Sequence, residues 1–259
     1  MKFEIIDFHT HPFTENINNI CAHKEYCNMS PENTMRDMKE LGISKICGSV
    51  LCMSKDYEND WQAVKASNEC ALELKKLYGD FYVPGFHIHP DYLKESCEEI
   101  ERMSSLGLKL VGELVPYLHG WESYTTKNLD EIIDLATQHN MIVSFHSQGE
   151  DEMDELVKKH PKTVFVAAHP GEYGEFARHM ERMKMSENYY LDVSGYGIFR
   201  HGMLRHAIDL FGAERFLFGS DYPTCNPAMY IGSVLLDNLI TDSEKELVLA
   251  KNAKRILDL

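Results

Sequence analysis

Nowhere does this sequence run for the roughly 20 apolar residues that a membrane-spanning helix needs. Glu4 and Asp7 interrupt any signal-peptide core at its start. Basic residues are scarce: 26 Lys and Arg stand against 41 Asp and Glu, a formal net charge of −15. That balance excludes a general nucleic-acid or anionic-membrane surface, although a local basic pocket for an anionic substrate stays open. The seven cysteines are odd in number and form no C-x-x-C pair. They read as reduced thiols of a cytoplasmic protein, with Cys47 and Cys52 as small core residues. What is present, 44% apolar and 26% charged residues, is the composition of a globular chain with a substantial core.

Apolar runs alternate with amphipathic ones along the whole length. Phe3 to Phe8 has the β-branched and aromatic residues of a strand. The polar connection from Phe13 to Met29 exceeds the about 12–15 residues of a plain loop, and is expected to be functional or flexible. Ser30-Pro31 reads as the N-cap and first position of a helix that Gly42 stops. Further strands are predicted over 43–51, 81–88, 108–114, 141–146, 163–168, 189–193 and 215–218. Helices are predicted over 59–78, 92–106, 129–139, 151–160, 174–184 and 203–211, with two more over 227–239 and 243–257. Several strands are near-continuous apolar runs, as in a parallel sheet covered on both faces. Eight strand–helix units without a composition break predict one α/β domain over 1–259, a (β/α)8 TIM barrel. An open doubly wound sheet is the alternative, but its glycine-rich first turn is missing.

In such a barrel, reactive groups sit where strands end. The first strand ends in His9-Thr-His11-Pro, whose i, i+2 spacing turns both imidazoles to one face. The fourth ends in Glu113, the fifth in His146, the sixth in His169 and the eighth in Asp221. Imidazoles plus carboxylates suit Zn²⁺, with Mn²⁺, Fe²⁺ or Co²⁺ as substitutes, one ion expected and two open. Asp221 suits the general base that takes a proton from activated water. His169 would bind a second metal, or stay free to polarise substrate and shuttle a proton.

The motifs His9-Thr-His11-Pro, Phe145-His146, Ala168-His169-Pro-Gly171 and Phe218-Gly-Ser-Asp221-Tyr-Pro resemble the amidohydrolase superfamily. The likeness is to its amidohydrolase-related branch, which contains aminocarboxymuconate-semialdehyde decarboxylase and related hydrolases, and it spans essentially the whole chain. It implies metal binding by His9, His11, His146 and Asp221, with His169 a second-metal ligand or a catalytic residue. No lysine clearly occupies the bridging position of binuclear members, although Lys109 lies on the same strand. Glu113 instead resembles the deoxyribonuclease-like branch, where a fourth-strand glutamate contacts the metals. A homodimer is common in such families.

Tyr117, His119 and Trp121 follow Glu113 and are expected to line the mouth, with Tyr222 beside Asp221. Arg200, next to His201, could clamp an anionic substrate or simply start a solvated helix. His87 and His89 form a second His-x-His, read as structural or rim histidines. Cys21, His23 and Cys27 match no standard zinc knuckle. The expected function is a metal-dependent hydrolase that turns activated water on a small ester, amide or lactone. The alternative is a metal-dependent non-oxidative decarboxylase of a small carboxylic acid, and a non-catalytic metal-binding barrel is the third reading.

Overall fold

A computed structural model of the chain describes residues 2–15, 19–21, 29–197 and 200–259. The elements follow in order. Strand β1 (Ile5–Asp7) precedes helix α1 (Pro31–Glu40), then β2 (Ile43–Gly48), α2 (Asp60–Tyr78), β3 (Tyr82–Phe86) and α3 (Leu93–Ser105). Next are β4 (Leu110–Leu114), a short α4 (Pro116–His119), α5 (Leu129–Gln138), β5 (Ile142–His146), α6 (Glu150–Lys159), β6 (Val164–Ala168) and α7 (Tyr173–Met185). The chain continues through β7 (Tyr189–Asp192), α8 (Met203–Phe211), β8 (Phe216–Leu217), α9 (Pro227–Leu235), α10 (Asp242–Glu246) and α11 (Asn252–Leu257). His23 and Cys27 lie outside the described residues, as does much of the connection over 13–29.

Local sequence sets several boundaries. Ser30 accepts a hydrogen bond from the Asn33 N–H at 3.2 Å, and Asn59 accepts from Gln62 N–H at 3.0 Å. Thr241 and Glu244 close a reciprocal capping box. The predicted helix over 243–257 forms as one continuous helical stretch from α10 to α11, with a wide π turn over Leu247–Lys251 between them. Within that turn the Val248 carbonyl leaves its helix ladder to accept the Phe218 N–H at 2.8 Å. The helix thereby continues the hydrogen bonding of β8.

All eight strands are parallel and pair in the order β1 to β8. The ring closes beyond the short β8: Phe8 N–H donates to Phe218 O at 2.8 Å, Asp221 N–H to His9 O at 2.8 Å, and His11 N–H to Tyr222 O at 2.6 Å. Thr10 and Tyr222 form a parallel bridge there. Inward-facing Ile6, Phe8, Cys47, Leu110, Ile142, Val166, Tyr190 and Leu217 fill the barrel, while a larger apolar cluster packs the helices on its outside. No helix of the described residues is long and apolar enough to cross a membrane.

Candidate metal centre

The strand ends bring His9, His11, Glu113, His146, His169 and Asp221 to one place. Glu113 needs help to get there. Strict alternation from the inward Leu110 would turn Glu113 outward, but the register of β4 against β5 shifts between Val111 and Leu114. Gly112, at φ +91°, permits the shift; a Cβ there would lie 2.2 Å from the Ser144 carbonyl oxygen. His169 and Asp221 hold positive φ values of 67° and 59°. Left-handed backbone of this kind is sparse for residues with a side chain and concentrates at functional sites.

Glu113 is the hub. Its Oε2 lies 3.3 Å from His9 Nε2 and 3.2 Å from His11 Nε2. Its Oε1 lies 2.9 Å from His146 Nδ1 and 3.7 Å from His169 Nε2. Asp221 Oδ1 completes the first group at 3.7 Å from His9 Nε2 and 3.6 Å from His11 Nε2. Three overlapping triads result: His9, His11 and Glu113; Glu113, His146 and His169; and His9, His169 and Asp221. Ligand bonds of about 2.1 Å imply neighbouring donors about 3.0 Å apart in an octahedron and about 3.4 Å apart in a tetrahedron. The observed spacings fall around those values.

The tautomers make the same point. His11 Nδ1 donates to the Ser49 carbonyl at 2.9 Å, and His9 Nδ1 donates to Asp192 Oδ2 at 2.7 Å. When both rings are neutral, each Nε2 therefore carries a lone pair. Those two nitrogens are 3.1 Å apart, with the Glu113 oxygen beside them. Facing lone pairs repel unless a proton or a cation stands between them. The donor set fits a divalent ion.

Charge within the cluster shows the same demand. Burial alone would lower the His9 pKa, but Asp192 and Glu113 hold it well above the usual imidazole value. Burial likewise opposes and Glu113 overrides at His146, which is raised. For Glu113, burial would raise the carboxyl, yet His9 and His146 keep it well below the ordinary range. His169 goes the other way, lowered chiefly by burial. Without a metal, protons on imidazoles must balance this carboxylate.

Asp192 and Ser194 belong to the site and were absent from the strand-end reading. The Ser194 hydroxyl donates to Asp192 Oδ1 and lies 3.0 Å from His169 Nδ1. It can accept that ring's N–H, which leaves His169 Nε2 facing Glu113. One buried aspartate thus orients both His9 and His169, the usual arrangement behind metal-binding imidazoles. Gly195 stands against the same ring, where a Cβ would meet His169 Nδ1 at 2.2 Å. Sequence held the signal: Asp192 ends the apolar run Tyr189-Tyr-Leu as Glu113 ends its own.

The expected substrate-facing residues divide. Tyr117 is exposed at the rim, its ring 5.7 Å from that of His146. His119 and Trp121 are withdrawn from the open rim: both are buried, where α4 and the turn after it pack them against His87 and His89. Tyr222 directs its hydroxyl to Thr34 of α1 at 2.9 Å. Arg200 is ion-paired with Glu172. A pocket of about 390 Å³ opens over the centre between His169, Tyr196, Asp221, Cys225 and Met229. A larger hollow, about 640 Å³, lies at the opposite end of the barrel, away from every donor.

Fold and donor set together define a (β/α)8 barrel with a candidate metal centre at the C-terminal strand ends. The chain matches the family described as Amidohydrolase over residues 6–259, and it belongs to that family. No curated protein matches it. Among solved structures it is similar to a dihydroxybenzoic acid decarboxylase from a Polaromonas species, bound to manganese and 2-nitroresorcinol (14% identity, 99% and 97% of the two chains, TM-score 0.76). It is also similar to a 5-carboxyvanillate decarboxylase from Novosphingobium aromaticivorans complexed with manganese (14%, 99% and 96%, TM-score 0.75). A third is an uncharacterised TIM-barrel protein from Bordetella bronchiseptica (21%, 99% and 99%, TM-score 0.74). At these identities the likeness concerns the fold.

Proposed function

We propose that this chain is a metal-dependent enzyme that hydrolyses a small ester, amide or lactone. One observation carries the reading: the two oxygens of Glu113 serve different donor groups, His9 and His11 on one side, His146 and His169 on the other. A carboxylate shared in this way suits a bridge between two cations. Zinc fits the nitrogen and oxygen donors, and manganese, iron or cobalt would substitute. A divalent ion held here supplies Lewis acidity and lowers the pKa of water to about 7.

The chain's own groups divide the remaining work. Asp221 is placed to take the proton from the attacking water, since its Oδ1 borders both first-strand imidazoles. Asp192 holds His9 in one tautomer and, through Ser194, His169 as well. Tyr117 and Tyr196 stand exposed at the rim, where they can shield a bound substrate from water.

Decarboxylation of a small carboxylic acid is the second reading, and the solved neighbours favour it over hydrolysis. Two of those named above are decarboxylases that were solved with manganese. In that reaction Asp221 or His169 would deliver a proton to carbon. Metal-loaded protein incubated in oxygen-18 water with lactones, esters and amides, then with hydroxylated aromatic acids, separates the two. Label in the product supports hydrolysis; carbon dioxide release without label overturns it in favour of decarboxylation.

A further inference from the structure

We propose that Ser49, His87, His119 and Trp121 form an uncharged subsite beside His11, which binds a hydroxyl or carboxamide group of the substrate. The inference rests on the barrel mouth being a substrate site, as proposed above, but not on which reaction occurs there. The candidate metal donors come from β1, β4, β5, β6 and β8, leaving the sector of β2 and β3 without one. Cys47 and Val83 pack into the barrel interior. Ser49 and His87 follow them by even steps, so strand alternation turns both toward the axis.

The polar accounting of this sector does not close. Two successive carbonyls at the end of β2 are taken: Ser49 O by His11 Nδ1 and Val50 O by His87 Nε2, each at 2.9 Å. The second bond fixes the hydrogen of His87 on Nε2 and leaves Nδ1 as an acceptor. The His87 ring lies 4.3 Å from that of His119, whose carbonyl accepts from His89 Nε2 at 2.9 Å. The Trp121 ring lies 6.4 Å from that of His89. All four proposed residues are buried, with 0–3% exposure. Yet among the described residues Ser49 Oγ, His87 Nδ1, His119 Nε2 and Trp121 Nε1 have no hydrogen-bond partner. Buried polar atoms are rarely left so, and four in the sector of β2, β3 and the turn after α4, two of them on adjoining rings, point to a polar guest.

The chemistry of the guest follows from the set. Trp121 can only donate, His87 Nδ1 only accept, and Ser49 can do either. The imidazoles are neutral: burial pulls His87 down to about 4 and His119 well below its ordinary value. Among the described residues no Lys or Arg bonds to any of the four. A carboxylate would find neutral donors but no countercharge, and it would leave the His87 Nδ1 acceptor unanswered, whereas a hydroxyl or carboxamide offers both a donor and an acceptor.

Metal-loaded protein labelled with nitrogen-15 at histidine and tryptophan tests this. The sequence has two tryptophans, so Trp61→Phe leaves the indole signal of Trp121 alone. Glycolamide is expected to shift the Trp121 indole and His87 Nδ1 signals saturably, while acetate leaves His87 Nδ1 unmoved. Ser49→Ala removes an unpaired hydroxyl and is expected to fold; it should weaken the glycolamide response about tenfold with metal content unchanged. His87→Asn, which keeps a side-chain acceptor, should retain part of the response. The proposal is overturned if glycolamide moves neither signal, if acetate moves them as much, or if Ser49→Ala responds like wild type. It also falls if His87 Nδ1 is already hydrogen-bonded and indifferent to glycolamide, which means that enclosed water fills the space. None of these outcomes depends on finding turnover, so failure of the hydrolytic reading stays separate.

Discussion

Replacing Glu113 by glutamine tests the hub of the centre. The substitution keeps shape and removes one charge from a side chain that is 4% exposed and borders four imidazoles. If its two oxygens serve two cations, wild type should approach two metal ions per chain and the variant should lose one. The stability consequence can be worked out. A ligand at a hundred times its dissociation constant stabilises the native state by about 2.7 kcal/mol per site. In a chain of this size 1 kcal/mol moves the melting temperature by roughly 2–4 °C. Saturating metal should therefore raise the midpoint by about 10–20 °C in wild type and by about half that in Glu113→Gln. Elemental analysis gives the stoichiometry, and thermal unfolding with and without metal gives the shift. A variant that keeps the wild-type metal count and the full shift would refute the bridging role. A wild type that never exceeds one ion would refute it as well.

Asp221→Asn should keep most of its metal, because an amide oxygen still coordinates, while turnover falls about 10²–10⁴-fold; steady-state rates beside metal analysis check this. Asp192→Asn should weaken metal binding about 10–100-fold through the loss of orientation at His9, read by competition with a chromogenic chelator. Burial holds His87 at about 4, and burial with Arg182 nearby holds His179 at about 3. Both pKa values are depressed, so the unfolded chain gains protons that the folded chain refuses once the pH drops below about 6.5. Stability present above that pH should be lost toward pH 4, and His179→Gln should flatten the loss in denaturant titrations across that range.

The barrel was legible because its pattern repeats. Apolar runs such as Met141 to Phe145 and Thr163 to Ala168 end in a chemical residue, and both became strands within a residue of their expected ends. His9 and His11 converge as their spacing implies. Glu113 is legible only as a strand-end acid, since its inward direction depends on a register shift at Gly112 that no periodicity reveals. Asp192 carries the same strand-end signal, but an acid finishing a strand is also an ordinary solvated end, so position alone does not single it out. His119 and Trp121 look like open-rim residues by position, but the short α4 and the turn after it carry both below the rim, into the interior. The π turn in the last helix is hidden for a similar cause: the Val248 carbonyl accepts from Phe218, far away in sequence.

The seam of the ring has a consequence for synthesis. His9 and His11 leave the ribosome early, whereas Asp221 and the backbone that pins them, from Phe218 to Tyr222, come some two hundred residues later. A nascent chain holding only the first six strands carries most of the donors but neither closure nor the final carboxylate. Tight ion capture is therefore expected only once the chain has passed Tyr222, and a translation product truncated before it should be released metal-poor and open to proteolysis. A circular permutant that joins Leu259 to Met1 and opens the exposed turn near Gly107 would reverse that order. It would make the first and last strands neighbours in sequence, with the seam closed by a covalent link before the rest of the ring exists.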